Sequence, residues 1–535
     1  MTPFAEFALL FNSYLFLFLF LPVALGGYYL LGRVRLRWAA LWLCAASFVF
    51  YGWWNPRFVV LLAASILFNH VVSRYVLQQA SAPRRQGWMV AFGVASNLTL
   101  LFYYKYFVTL LGVLQGWGLY ADRPEGILLP LGISFFTFTQ IGYLLDCRAG
   151  FVQSPSLLKH TLFVTFFPHL IAGPVLHHKE MMPQFAEPET YRFRADNLSI
   201  GGTLFVIGLA KKVLFADGIA PYADAGFVAP AELQFWGAWS TSLAYAMQLY
   251  FDFSGYSDMA LGLAKMFGIR FPLNFNSPYK ANCIIDFWAR WHMTLTRYLT
   301  AYLYYPLAMQ VSRWRNRRGL PVGSAGSRTP EGFALMIALP TLYTMGLAGV
   351  WHGAGLQFAI YGLLHGVYLC VNHGWRVLFA KRIAPRRAWS QWCWSRACVL
   401  LTFVAVMAAF SFFRASNVHD AWSLLRAMAG LQGVEAVQWP HQELSEMGEL
   451  QDWRLLMGRH LLAIQLALLL AVVWLAPNSH QILGHFSPAV ARVQEAGVQW
   501  LRWRPSWGWL IAFLAVLWIC LMHLHRESRF LYFQF

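Results

Sequence analysis

"GLAGVWHGAGLQFAIYGLLHG", residues 346–366, has no Asp, Glu, Lys or Arg anywhere in it. About 20 such residues cross a bilayer as one helix. His352 nevertheless sits in the middle. If the helix continues through it, its face-mates are Ala348, Gly349, Gly355, Leu356 and Ala359. Small residues admit either a neighbouring helix or a ligand. Packing needs no imidazole, and an ionisable residue inside a membrane is a functional hypothesis by default.

The rest of the chain has the same character. Of its 535 residues, 58% are hydrophobic and 12% charged. A soluble domain carries about 25% charged and 45–50% apolar residues. The fold class this implies is an all-α polytopic membrane protein, with roughly 11–14 spans, several of them tilted or re-entrant. The first apolar run, "FALLFNSYLFLFLFLPVALGGYYLLG" (7–32), is followed rather than preceded by basic residues, Arg33, Arg35 and Arg37. It reads as a retained span rather than a cleaved signal. The net charge of +18 gathers in clusters between apolar runs, such as "SRWRNRR" (312–318). That is the positive-inside pattern, and no nucleic acid is expected. It puts the N-terminus outside. The segment near 415–457, rich in Asp and Glu, is expected as an external loop. The 7 cysteines form no CxxC pair, so neither a metal site nor a disulfide framework is expected.

The stretch 247–306 departs from ordinary membrane helix. It holds Asp252, Asp258, Lys265, Arg270, Asn274, Asn276, Lys280, Asp286 and Arg290, and "FPLNFNSPY" (271–279) adds two prolines. An ion at the centre of a span costs about 2.5–3.5 kcal/mol, and irregular backbone at that depth must be buried in protein or line a cavity. A polar cavity or an interfacial loop is expected here. "DFWARWHMTLTRYLTAYLYY" (286–305) then reads as an amphipathic helix. His292 shares a face with Ile285, Trp288, Leu295, Thr296, Leu299 and Leu303, away from Arg290 and Arg297. It is either a satisfied core histidine or a functional one. Histidine near neutral pH can take a proton from a hydroxyl, and an apolar surround favours its neutral form. That chemistry suits acyl transfer. No GxSxG elbow or P-loop is present.

Five blocks make the chain resemble a known family. They are "LPLGISFFTFTQIGYLLD" (129–146), "FFPHLIAGPVLHHKEMMPQF" (166–185), "YFDFSGYSDMALGLAKMFGIRFPLNFNSPY" (250–279), "DFWARWHMTLTRYLTAYLYYPL" (286–307) and "GVWHGAGLQFAIYGLLHG" (349–366). In this order they resemble the membrane-bound O-acyltransferase (MBOAT) family, in its alginate O-acetylation branch. The resemblance implies one membrane domain over 1–535, a ring of tilted helices around a central tunnel. Within it, 1–125 would supply N-terminal spans, 126–373 the catalytic core and 374–535 the C-terminal spans.

The resemblance also implies an activity, O-acyl transfer, and gives the invariant catalytic histidine to His352 and the second to His292. Around them, Trp351, Gln248, Asp252, Ser254, Asn274, Trp288 and Gln357 are candidate substrate-binding residues. The expected acyl donor is acetyl-CoA from the cytosol, with no tightly bound cofactor. The expected acceptor is an exopolysaccharide hydroxyl, reached through a periplasmic acetyltransferase-type partner protein, at a bacterial inner membrane whose lipid surrounds the chain. Alternatives are a D-alanyl transferase for teichoic acid, a polysaccharide or small-molecule transporter, and an inactive scaffold. The chain departs from the branch where "WHGAGLQF" replaces a "WHGASWNF"-type sequence, at Leu356 and Gln357, and where Ala289 replaces an arginine. His169, His177 and His178 also stand where other polar residues are usual.

Overall fold

A computed structural model describes residues 9–119, 126–379, 387–434, 451–491, 495–497, 499–525 and 531, with backbone alone for 451–460. Among them there are helices and no strand. The elements that matter below are α1 (Leu21–Val34), α2 (Leu36–Trp54), α3 (Pro56–Gln78), α4 (Pro83–Lys105), α5 (Ile133–Arg148), α6 (Ala195–Ala210), α7 (Phe235–Met266), α8 (Ile284–Trp288), α9 (Met293–Leu299), α10 (Leu339–His352), α11 (Leu356–Leu378) and α12 (Ala388–Arg414).

Among the described residues, six helical segments are long and apolar enough to cross a membrane: Phe16–Val34, Pro56–Gln78, Pro83–Lys105, Ala195–Val228, Pro330–His352 and Ala388–Arg414. The distribution of side chains agrees with that reading. Val60, Trp88 and Leu401 are largely exposed, whereas Asn69, Gln140, Asp252, Asp258, His292 and His365 are buried. A soluble protein hides its apolar residues and solvates its charges; here large apolar side chains stand exposed while several ionisable groups are buried.

Two compact units emerge. One comprises Met1–Val213, Ser254–Leu273 and Ser479–Phe533; the other comprises chiefly Leu214–Phe253 and Asn274–Asn478. The chain passes between the units at 213/214, 253/254, 273/274 and 478/479. Of the expected acidic loop, Glu435, Glu443, Glu446 and Glu449 lie outside the described residues, and so does the whole of the basic stretch 380–386.

In the first unit, α2 stops at Trp54 because Asn55 is extended and Pro56 opens the next helix. The Asn55 side chain caps α3 by accepting from the Arg57 N–H, which satisfies one of the free donors at a helix start. Asn69 on α3 and Asn97 on α4 exchange amide hydrogen bonds at 3.1 and 2.7 Å. Each amide also donates to a carbonyl one turn back, Ser65 O and Gly93 O. With lipid outside, such a pair binds helices more effectively than apolar contact alone.

Glycine sets the closest approach in this unit. A Cβ on Gly208 would lie 2.5 Å from Gly255 O, and one on Gly255 2.7 Å from Gly208 O. Gly201 and Gly262 repeat the arrangement, each Cβ 2.5 Å from the other's carbonyl oxygen. The backbones of α6 and the second half of α7 therefore touch at two places, seven residues apart on each helix.

Helix α7 corrects one expectation. The sequence reads as two spans, 234–251 and 255–269, but a single helix runs from Phe235 to Met266. Asp252, Ser254 and Gly255 do not break it, because its backbone hydrogen bonds close within the helix whatever the side chains are.

Candidate active site

The second unit holds both histidines singled out from the sequence. His292 is buried, as its helical periodicity predicts, but the backbone there is not helix. α8 ends at Trp288, α9 begins at Met293, and His292 between them has φ 41° and ψ 50°. Few residues other than glycine occupy this left-handed region. It is held by pairing with an irregular stretch of chain: Asn276 N–H donates to Arg290 O and Met293 N–H to Asn274 O, both at 2.9 Å. Arg290 is anchored in turn by Asp286, at 2.8 Å. The prolines of "FPLNFNSPY" keep 271–277 out of helix, and that irregular piece is the clasp.

The side chains continue the clasp. His292 Nδ1 lies 2.9 Å from Asn274 Oδ1, and the Thr294 hydroxyl donates to the same oxygen at 2.8 Å. Phe253 meets the imidazole edge to face at 4.7 Å between centroids, and Phe275 lies at 6.5 Å. His292 Nε2 is buried with no hydrogen-bond partner among the described residues.

His352 is the last residue of α10. Gly353 is extended, and the chain re-enters helix at Leu356. The helix therefore does not continue through His352. Its expected small face is divided: Gly349 lies against α11, where a Cβ would collide with Phe358 O and the Gly362 backbone. For Gly349 helix packing is the answer, rather than room for a ligand. The His352 ring is buried among Trp351 (4.9 Å between centroids), Phe413 of α12 (5.1 Å) and Tyr361 of α11 (5.9 Å).

A third histidine was not identified from the sequence. His365 on α11 is fully buried, and neither ring nitrogen has a partner among the described residues. Tyr361 and Trp288 meet it edge to face at 4.8 and 5.1 Å. The signal was available: His365 follows Phe358, Tyr361 and Gly362 at helical spacing, all on the buried face of α11. Rings then run without a break from one candidate to the other. The order is His292, Phe275, Trp291, Phe287, His365, Tyr361 and His352, with successive centroids no more than 6.5 Å apart.

The remaining candidates divide. Trp288 is buried beside His365 with its Nε1 unpartnered among the described residues, and Gln248 is buried with Oε1 in the same condition. Asp252 is buried one turn after Gln248 on α7. Trp351 flanks His352. Asn274 turns its carbonyl oxygen to His292 and Thr294. Ser254 is buried but falls in the first unit. Gln357 is half-buried and donates to Ser416 O at 3.1 Å, tying α11 to the chain before Val418–Met428. The three unusual histidines also separate. His169 Nε2 bonds Phe163 O at 3.0 Å, His178 lies between the rings of Tyr143 and Phe163, and His177 is buried next to it.

The described residues thus form an all-α, multi-pass membrane protein whose buried histidines lie beside irregular backbone, a description that leaves its class open. Comparison with known proteins specifies it. The profile of MBOAT, the membrane-bound O-acyltransferase family, matches residues 127–323, which include His292. The peptidoglycan O-acetyltransferase of Helicobacter pylori is 39% identical over 458 residues, covering 80% of this chain and 81% of that protein. A probable alginate O-acetylase, AlgI, of Pseudomonas putida is 35% identical over 541 residues, 98% of this chain and all of the relative. The teichoic acid D-alanyltransferase of Bacillus subtilis is 29% identical over 300 residues, 55% of this chain and 71% of that protein. The chain belongs to the MBOAT family and is an acyltransferase.

Proposed function

We propose that this enzyme moves an acetyl group from cytosolic acetyl-CoA to the hydroxyl of an exported polysaccharide. The observation that carries the reading is the placement of His292 and His352 in one compact unit, both buried and joined by a continuous wall of rings. His352 takes the hydroxyl proton as the acceptor oxygen attacks the thioester carbonyl, and coenzyme A leaves as the thiol. His292 and Trp288 line the approach. Similarity to O-acetylases over most of the chain supports acetyl as the group transferred, and the relatives' names, alginate and peptidoglycan, support a carbohydrate acceptor. Delivery would use a periplasmic acetyltransferase-type partner, with the chain in a bacterial inner membrane and its N-terminus outside, the side given by loop charge.

The test uses membranes carrying the full chain, labelled acetyl-CoA and the polysaccharide fraction. His352→Ala abolishes transfer of label while the protein still accumulates; transfer at the unsubstituted rate would remove the role given to His352. A second reading, D-alanyl transfer to teichoic acid, is favoured by the 29% identity to the Bacillus enzyme. Label entering from a D-alanyl carrier protein, and not from acetyl-CoA, would select it.

A further inference from the structure

We infer that Asn274, supported by Thr294, is a positioning residue that locks His292 into one tautomer, with the proton on Nδ1 and Nε2 left as the ring's acceptor. His292 then receives a hydrogen bond, and it does not donate one, when a hydroxyl-bearing acceptor enters. The inference deepens the acyl-transfer reading and rests on it for the identity of the incoming group.

The argument starts at the amide. The oxygen and nitrogen of an asparagine are told apart by their partners. The Thr294 backbone N–H points at the Asn274 terminal atom, 3.4 Å away, and a backbone N–H can only donate. The atom it faces is therefore the oxygen. The Thr294 hydroxyl, at 2.8 Å, adds a second donor to the same atom. His292 Nδ1 stands 2.9 Å from that oxygen, which has no proton to offer, so Nδ1 supplies the hydrogen. In a neutral imidazole the other nitrogen is then the acceptor. Phe253 and Phe275 pack on the ring, and Nε2 has no hydrogen-bond partner among the described residues. A second proton there would place an uncompensated charge in an apolar wall.

The backbone makes the same choice. His292 occupies its left-handed conformation only because the clasp of 274–276 on 290–293 holds it, and the Asn274 carbonyl and side chain both belong to that clasp. One residue thus fixes where the ring is and which nitrogen is bare. Other systems show what loss of such an orienting acceptor does: the geometry survives while the wrong tautomer lowers kcat by orders of magnitude.

The test has a readout independent of turnover. In full-length enzyme labelled with ¹⁵N-histidine, the His292 signals, identified by their loss in His292→Gln, are expected to show a protonated Nδ1 and an unprotonated Nε2. Asn274→Leu is expected to mix or reverse the two forms. Asn274→Asp, which still accepts from Nδ1, keeps them, and Thr294→Val leaves Nδ1 protonated. In transfer assays Asn274→Leu lowers kcat about 100-fold or more with KM for the acyl donor little changed, and Asn274→Asp restores at least a tenth of the activity. A protonated Nε2 in the unsubstituted enzyme, or an unchanged tautomer in Asn274→Leu, would overturn the inference even if acyl transfer is confirmed. The expected tautomer together with no transfer of any acyl group would instead sink the proposed function and leave the tautomer standing.

Discussion

Lys211 Nζ lies 2.6 Å from Asp258 Oδ2 in the first unit, with the carboxylate buried and the lysine side chain largely so. Ser479 donates to the same carboxylate oxygen at 2.7 Å, and His480 Nε2 faces the other at 3.1 Å. Three residues from two distant parts of the chain thus meet on the Asp258 carboxylate. Removing one partner of a buried ion pair strands the other charge, at about 3–5 kcal/mol. Asp258→Ala should lower the melting temperature in detergent sharply, or prevent accumulation. The double variant Lys211→Met/Asp258→Leu should recover much of the loss, since it leaves no charge behind. Equal melting of the single and double variants would show that the pair is not what stabilises this region.

The glycine contacts of α6 and α7 predict a steric effect with an internal control. A methyl at Gly208 or Gly255 enters the space of a facing carbonyl, whereas nothing lies within 4 Å of a Cβ at Gly202. Gly208→Val should destabilise by about 1–3 kcal/mol or more, and Gly202→Ala should be neutral or slightly stabilising through helix propensity. Thermal unfolding of the two proteins, measured side by side, decides it.

His365 presents two ring nitrogens, unpartnered among the described residues, to an aromatic surround. Replacing a buried, unbonded polar ring by an apolar one of similar shape is close to neutral or favourable. His365→Phe is therefore expected to melt at or above the temperature of the unsubstituted protein. A fall of several degrees would mean that a bound molecule or water satisfies the imidazole.

Gln357 was a candidate for substrate contact, but its amide is engaged with the Ser416 carbonyl. Gln357→Ala should cost about 0.5–1.5 kcal/mol of stability and leave kcat and KM for acyl transfer within about twofold. A tenfold change in either constant would return the residue to the site.

The sequence was most informative where a side chain's role depends on its own helix. Runs of apolar residues located most of the helices, and periodicity put His292 on the buried side. It failed where a contact distant in sequence decides the backbone. Nothing in "FWARWHM" announces a left-handed residue; the reason lies at Asn274 and Asn276, across a turn of intervening chain. The same limit explains α7, where polar residues looked like a break because their burial against other helices was invisible. For Gly349 the sequence left packing and ligand space equally open, and only the position of Phe358 and Gly362 separates them. His365 is legible from its helical spacing to Phe358, Tyr361 and Gly362.

The Asn69–Asn97 pair constrains how this chain can change over time. Each amide fills the hydrogen-bonding needs of the other inside a membrane-buried interface. Loss of either one alone leaves its counterpart stranded, at about 1–3 kcal/mol, whereas simultaneous conversion to two apolar residues leaves nothing unmet. Single-step drift at 69 or 97 is therefore closed, and a lineage that abandons one amide is expected to abandon both. Descendants of this protein should carry the two asparagines as a linked trait, kept or lost together.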